Sequence, residues 1–138
     1  GTATLVLQST NNGNCNQVVD TVLIHFTNEP VVYSGPDITV CANNPTIAIS
    51  GTVTAGTTTG VWSTSGGGSF SPSTTSLTSV YNIDPADIAQ GSITIKLTST
   101  NTGNCNAVSD SLVVNITPKP TVDAGLNDTI CANQMFYP

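Results

Sequence analysis

The sequence repeats itself at one fixed spacing. Thr10-Asn11-Asn12-Gly13-Asn14-Cys15-Asn16 returns as Thr100-Asn101-Thr102-Gly103-Asn104-Cys105-Asn106, and Cys41-Ala42-Asn43 returns as Cys131-Ala132-Asn133, each pair separated by 90 positions. Gly1 with Gly91, Asp20 with Asp110, Pro30 with Pro120 and Gly35 with Gly125 keep that register without a gap. Each copy must therefore bury its apolar residues within its own length or against the next copy. Solenoid repeats run about 20–45 residues, so this period is too long for one. It fits a β-sandwich domain of about 100 residues. The expected organisation is the end of one repeat over 1–29, a complete repeat over 30–119 and the start of a third over 120–138. Pro30 and Pro118-Lys119-Pro120 fall at the joints. Proline there stiffens a short linker and stops strand pairing from running on.

Inside the complete repeat the apolar period is two. Asp37–Val40 reads as a first strand. Ile47, Ile49 and Val53 alternate with small or polar residues as a second, and Gly60–Thr64 is a third with Trp62 as its core aromatic. Gly66-Gly67-Gly68 marks a turn, and Ser69-Phe70-Ser71 a short return strand. Leu77, Tyr81 and Ile83 point inward on the next. Asp84-Pro85-Ala86-Asp87 then opens one helical turn, with Asp84 as N-cap, Pro85 at the first helical position and Gly91 closing it. Ile93, Ile95 and Leu97, then Leu112, Val114 and Ile116, mark the last two strands. About seven short strands predict an all-β chain: immunoglobulin-like antiparallel β-sandwich repeats in a tandem array.

Charge narrows the function. Lys96 and Lys119 are the only basic residues, arginine is absent, and the net charge is −6. Nucleic-acid binding needs clustered Lys and Arg to displace phosphate counterions, so that class is excluded. A polybasic membrane contact fails equally. No run of about 18 apolar residues predicts membrane insertion. The first residues lack the order of a secretory signal, so an export signal is expected outside this sequence.

The cysteines are even in number and fit no metal spacing, with no Cys-x-x-Cys and a single histidine, His25. Disulfides and an extracellular setting are expected. Cys41 with Cys105 is one pairing, which leaves Cys15 and Cys131 to partners outside the sequence. A simple up-and-down strand count sets the Cys41 and Cys105 loops at opposite poles, and a bridge needs Cα atoms within about 7 Å. A bond between neighbouring repeats or subunits, or buried free thiols, are the alternatives.

Catalysis finds no support. His25 lies in a last-strand segment whose counterpart one repeat on is Asn115, so it reads as a strand residue and not as a general base. Asp84 and Asp87 are explained by capping. Calcium is the one cofactor the residues raise, with Asp37, Asp84 and Asp87 as oxygen donors. No Asp-x-Asp-x-Asp loop accompanies them. The three glycines are not a phosphate loop, since neither a Lys nor a helix follows directly.

Several segments resemble repeats of giant surface proteins of Bacteroidota. They are Val122–Asn133, Ile47–Thr54, Gly60–Pro72 and Tyr81–Gly91, and the likeness extends over essentially the whole chain. The chain looks like the gliding-motility adhesins and related giant filamentous proteins exported by type IX secretion. The resemblance implies long cell-surface threads of immunoglobulin-like or PKD-like domains, attached to surfaces, polysaccharides or prey cells. It also makes Asp–Ser/Thr–aliphatic triplets resemble O-glycosylation signals, at Thr21, Ser111 and Thr129. The function expected is a non-enzymatic stalk or filament repeat of a cell-surface adhesin. Its partners would be neighbouring repeats, copies of itself in a fibre, and a surface or glycan ligand. The alternative is an accessory carbohydrate-binding module of a secreted enzyme, which would need exposed aromatic rings.

Overall fold

A computed structural model of the chain describes residues 1–127 and Cys131. The described residues are nearly all β. In chain order the strands are β1 (Thr2–Gln8), β2 (Val19–His25), β3 (Pro30–Tyr33), β4 (Ile38–Cys41), β5 (Thr46–Ser50), β6 (Thr52–Ala55), β7 (Thr59–Thr64), β8 (Ser69–Ser71), β9 (Thr78–Asn82), β10 (Ser92–Thr100) and β11 (Ser109–Thr117). Between β9 and β10 lies α1 (Pro85–Gln90).

The pairing is antiparallel everywhere except at β4. That strand runs parallel to β11, with Ile38 opposite Val114 and Cys41 opposite Thr117. A four-stranded sheet has the order β4-β11-β10-β7, a three-stranded sheet the order β5-β9-β8, and β3 pairs with β6. One hydrophobic cluster joins them: Ile47, Ile49, Val53, Trp62 and Tyr81, with Ile93, Ile95 and Leu97 of β10 and Leu112, Val114 and Ile116 of β11. Removing each such aliphatic side chain from water is worth about 1.5–3 kcal/mol, so β10 and β11, with three apiece, anchor the core.

Two elements differ from the sequence expectation. The first strand begins at Pro30, which the sequence places in a joint. Pro30 opens β3 at a sheet edge, where its missing N–H costs no ladder bond, and Val31 to Tyr33 pair with Thr54 to Thr52. The strand expected over Ile47–Val53 is broken at Gly51, so that β5 pairs with β9 while β6 pairs with β3. A Cβ at Gly51 would sit 2.5 Å from Leu97 Cδ2 and 2.8 Å from the Trp62 ring. Only glycine lets the backbone lie this close to the core aromatic.

The hairpin β1–β2 repeats β10–β11 in detail. Thr2 pairs with His25 and Gln8 with Val19, while ninety positions on Ser92 pairs with Asn115 and Thr98 with Ser109. Phe26 N donates to Gly1 O at 2.8 Å, and Ile116 N to Gly91 O at 2.8 Å. Ser9 Oγ accepts from Val18 N at 3.0 Å, and Ser99 Oγ from Val108 N at 2.9 Å. Asn11 and Asn101 share a positive φ, 58° and 54°. The surroundings differ. Leu5 and Leu7 are 54% and 77% exposed, whereas Ile95 and Leu97, ninety positions on, are both 0% exposed. Among the described residues, β1–β2 has no other strand paired to it.

Candidate functional site

Among the described residues a dense group of polar contacts surrounds Asp87. Asp84 sits in extended backbone before α1, and its side chain accepts from Ala86 N at 2.8 Å. Asp87 reaches back so that its Oδ2 accepts from Asp84 N at 3.1 Å, completing a reciprocal cap. Gly91 ends the helix at φ 77°. Sequence reasoning anticipates this cap. It misses what else Asp87 does. The side chain is fully buried, its Oδ2 also accepts from Tyr81 Oη at 2.8 Å, and its Oδ1 accepts from Gly67 N at 2.7 Å. Tyr81 Oη in turn accepts from Gly68 N at 2.9 Å and Thr64 Oγ1 at 3.3 Å. The three glycines are thus pinned in turn by the Thr64 hydroxyl, which accepts from Gly66 N at 3.0 Å, by the Asp87 carboxylate and by the Tyr81 phenol. A Cβ on Gly68 would collide with Asn82 O and approach the Tyr81 ring to 2.5 Å.

Burial pushes the Asp87 carboxyl up, but the hydrogen bonds from Gly67, Tyr81, Asp84 and Gly68 outweigh it and hold the group below its ordinary value of 3.8. Burial raises the Tyr81 phenol above 10.0. A charged acceptor locked against a neutral phenol, with every oxygen occupied, is a structural brace. It leaves no lone pair aimed at solvent for acid–base work.

The calcium candidates are dispersed among similar duties. Asp37 Oδ1 accepts from Val113 N at 2.8 Å and ties the start of β4 to β11. Asp84 and Asp87 serve the cap. Among the described residues no three His, Cys, Asp or Glu side chains gather in a metal-binding group.

The glycosylation candidates divide. Thr21 and Ser111 are both exposed at equivalent places on β2 and β11. Thr129 lies outside the described residues. The aspartate before Ser111 has a second role: Asp110 Oδ2 accepts from Ser34 N at 2.9 Å and Ser34 Oγ at 3.0 Å, and Ser34 is fully buried. These bonds lower the Asp110 carboxyl below its ordinary value. Asp20, in the hairpin, accepts instead from Thr21 N at 2.8 Å.

Among the described residues three aromatic rings serve the core. Trp62 and Tyr81 are buried, and Phe70 packs between them at centroid distances of 6.5 Å and 5.1 Å. Trp62 Nε1 donates to Ser76 O at 2.9 Å. Among the described residues the exposed rings are Tyr33 and Phe26. The apolar clefts lined by Leu5, Leu7, Val18 and Val22 are the uncovered face of β1–β2.

The four cysteines are free thiols. Cys41 and Cys105 are not brought together. Cys41 ends β4 opposite Thr117, the last residue of β11, while Cys105 lies in the loop before Ser109, its first. From Ser109 to Thr117 the nine residues of β11 make eight steps of about 3.4 Å, which sets the two ends about 27 Å apart. A bridge inside the repeat is therefore ruled out by distance, and the opposite-pole count is the correct one. Each thiol instead meets a joint. Cys41 Sγ contacts Pro118 O at 3.7 Å. Cys105 Sγ contacts Asn28 O at 3.7 Å and Thr27 Oγ1 at 3.1 Å. A cleft at that second joint is lined by His25, Thr27, Gly56 and Asn101 to Asn104. A side chain at Gly56 would collide with Asn28 O. His25 closes this joint and has no bonded carboxylate or nucleophile among the described residues.

Compared with known proteins, the chain matches no protein-family model and no curated protein. No described helix is long and apolar enough to cross a membrane.

Proposed function

We propose that the chain is a structural stalk or filament repeat of a large secreted cell-surface adhesin, built of immunoglobulin-like β-sandwich units laid end to end. The observation that carries this reading is the second copy of one hairpin. β1–β2 has the register, caps and loop geometry of β10–β11, yet it presents bare the face that β10–β11 buries. Such a hairpin belongs to a neighbouring unit with its own core, and a two-stranded ribbon alone is marginal in water. The strand orders β4-β11-β10-β7 and β5-β9-β8, with β3-β6 continuing past Gly51, support a two-sheet sandwich whose sheets meet at Trp62 and Tyr81. The adhesin assignment draws on the resemblance to Bacteroidota surface repeats. Burial of Trp62 and Tyr81 speaks against a carbohydrate-binding face, which needs rings in solvent.

The role of each unit is to space and stiffen. Few charges on its surface leave little repulsion between chains lying side by side. Electron microscopy of the native protein tests the reading. A thread of regular beads, one per ninety residues, is expected, and a lone globular particle refutes it.

A further inference from the structure

We infer that a disulfide crosses every joint, linking the Cys41-type thiol of one repeat to the Cys105-type thiol of the repeat that follows. The inference rests on the tandem arrangement proposed above and adds a covalent bond to it.

The two ends of the complete repeat supply the two halves of one site. At its C-terminal end, Cys41 lies opposite Thr117 in the parallel pair β4–β11, and its Sγ touches Pro118 O at 3.7 Å. At its N-terminal end, Cys105 Sγ touches Thr27 Oγ1 at 3.1 Å and Asn28 O at 3.7 Å. Thr27 and Asn28 stand ninety positions before Thr117 and Pro118. Laying the repeats end to end therefore brings the next repeat's counterpart of Cys105 onto Thr117 and Pro118, where Cys41 already is. Both sulfurs then lie within 3.7 Å of one carbonyl oxygen. They also share a face. Val40 and Ala42 pack toward the core, so Cys41 points outward. Thr117 is exposed beside it, while Ile116 is buried. Rotation about the cysteine side chains closes what separation remains. Neither thiol has a partner within this chain, because the partner of Cys41 belongs to the repeat that follows and the partner of Cys105 to the repeat that precedes.

The chemistry is thiol–disulfide exchange. The two thiols lose two protons and two electrons, and one Sγ–Sγ bond forms. A disulfide donor such as oxidised glutathione accepts the electrons and protons and leaves as two thiols. The bond alters how the array bears load. Tension entering at Cys105 follows the chain for 26 positions to Cys131 and leaves through the next bridge. A parallel path runs from Cys15 to Cys41. Strands β5 to β10 lie on neither path, so their cores are shielded from pulling.

The test uses residues 1–119 continued directly by residues 30–138, which places two complete repeats in one chain across a natural joint. One variant keeps only Cys41 of the first copy and Cys105 of the second. A second variant keeps only Cys41 and Cys105 of the second copy. All other cysteines are changed to Ser. Both are incubated with oxidised glutathione, alkylated and analysed by thiol titration and mass spectrometry, alongside circular dichroism and small-angle scattering. The first variant is expected to lose both thiols to an internal bond and the second to keep both. A folded, extended first variant that keeps its thiols, or a bridge within the second variant, overturns the disulfide alone. A tandem that is unfolded or collapsed side by side overturns the array reading, and the disulfide with it.

Discussion

Replacing Asp87 with Asn is the sharpest probe of what holds this fold, because it removes a charge and one acceptor with almost no change in volume. Oδ2 accepts from Tyr81 Oη at 2.8 Å and Asp84 N at 3.1 Å, and Oδ1 from Gly67 N at 2.7 Å. The amide keeps a single oxygen. Set in the Oδ1 place, it strands the tyrosine hydroxyl and the helix cap. Set in the Oδ2 place, its NH2 meets the Gly67 N–H donor to donor. A hydrogen bond to a charged group is worth about 1.5–3 kcal/mol, and a stranded buried donor costs a similar amount. The loss is then about 3 kcal/mol, or ~15 °C in Tm for a domain of this size. Trp62 is the single tryptophan and is buried in the core shared by β10 and β11, so urea unfolding followed by its fluorescence reports that core and not the β1–β2 hairpin. Tyr81→Phe is expected to cost less, about 1–2 kcal/mol. The double variant should fall short of the sum, because both changes break the same bond. An Asp87→Asn protein within about 1 kcal/mol of the parent refutes the brace, since the mutational cost of a buried polar network should exceed that of a surface change.

Acid supplies a second check. The folded values of Asp87 and Asp110 lie below the ordinary 3.8, so the stability they contribute is whole above that value and is lost as pH falls through the folded ones. Urea midpoints should drop below about pH 4, and less steeply in Asp87→Asn. Asp110→Ala strands the buried Ser34 N–H and hydroxyl and should cost about 2–3 kcal/mol, read from the urea midpoint at unchanged slope. Gly51→Ala and Gly68→Ala force a Cβ into Trp62 and Tyr81 and should each cost about 3 kcal/mol, whereas Gly13→Ala, at φ 60° in the loop between β1 and β2, strains only the hairpin and should leave the Trp62 transition in place. Leu5→Thr with Ile24→Thr should lower binding of a hydrophobic dye by the hairpin face without shifting that transition, and a shifted midpoint would refute the hairpin's independence.

The unaided sequence determined what is local and periodic. The alternation of Ile93, Ile95 and Leu97, the Asp84–Pro85–Gly91 signals and the inward Trp62 all follow from neighbours along the chain, and each is found in place, while the ninety-residue offset reappears in the matching registers of β1–β2 and β10–β11. The tertiary structure alone decided what depends on residues distant in sequence. Pro30 becomes a strand because an edge partner, β6, tolerates its missing donor. Asp87 becomes a brace because folding delivers Tyr81 and Gly67 to its two oxygens. Cys41 and Cys105 are held apart because one lies opposite the last residue of a nine-residue strand and the other precedes its first. Which groups meet is set by pairing across the sheets, and spacing along the chain carries no record of that.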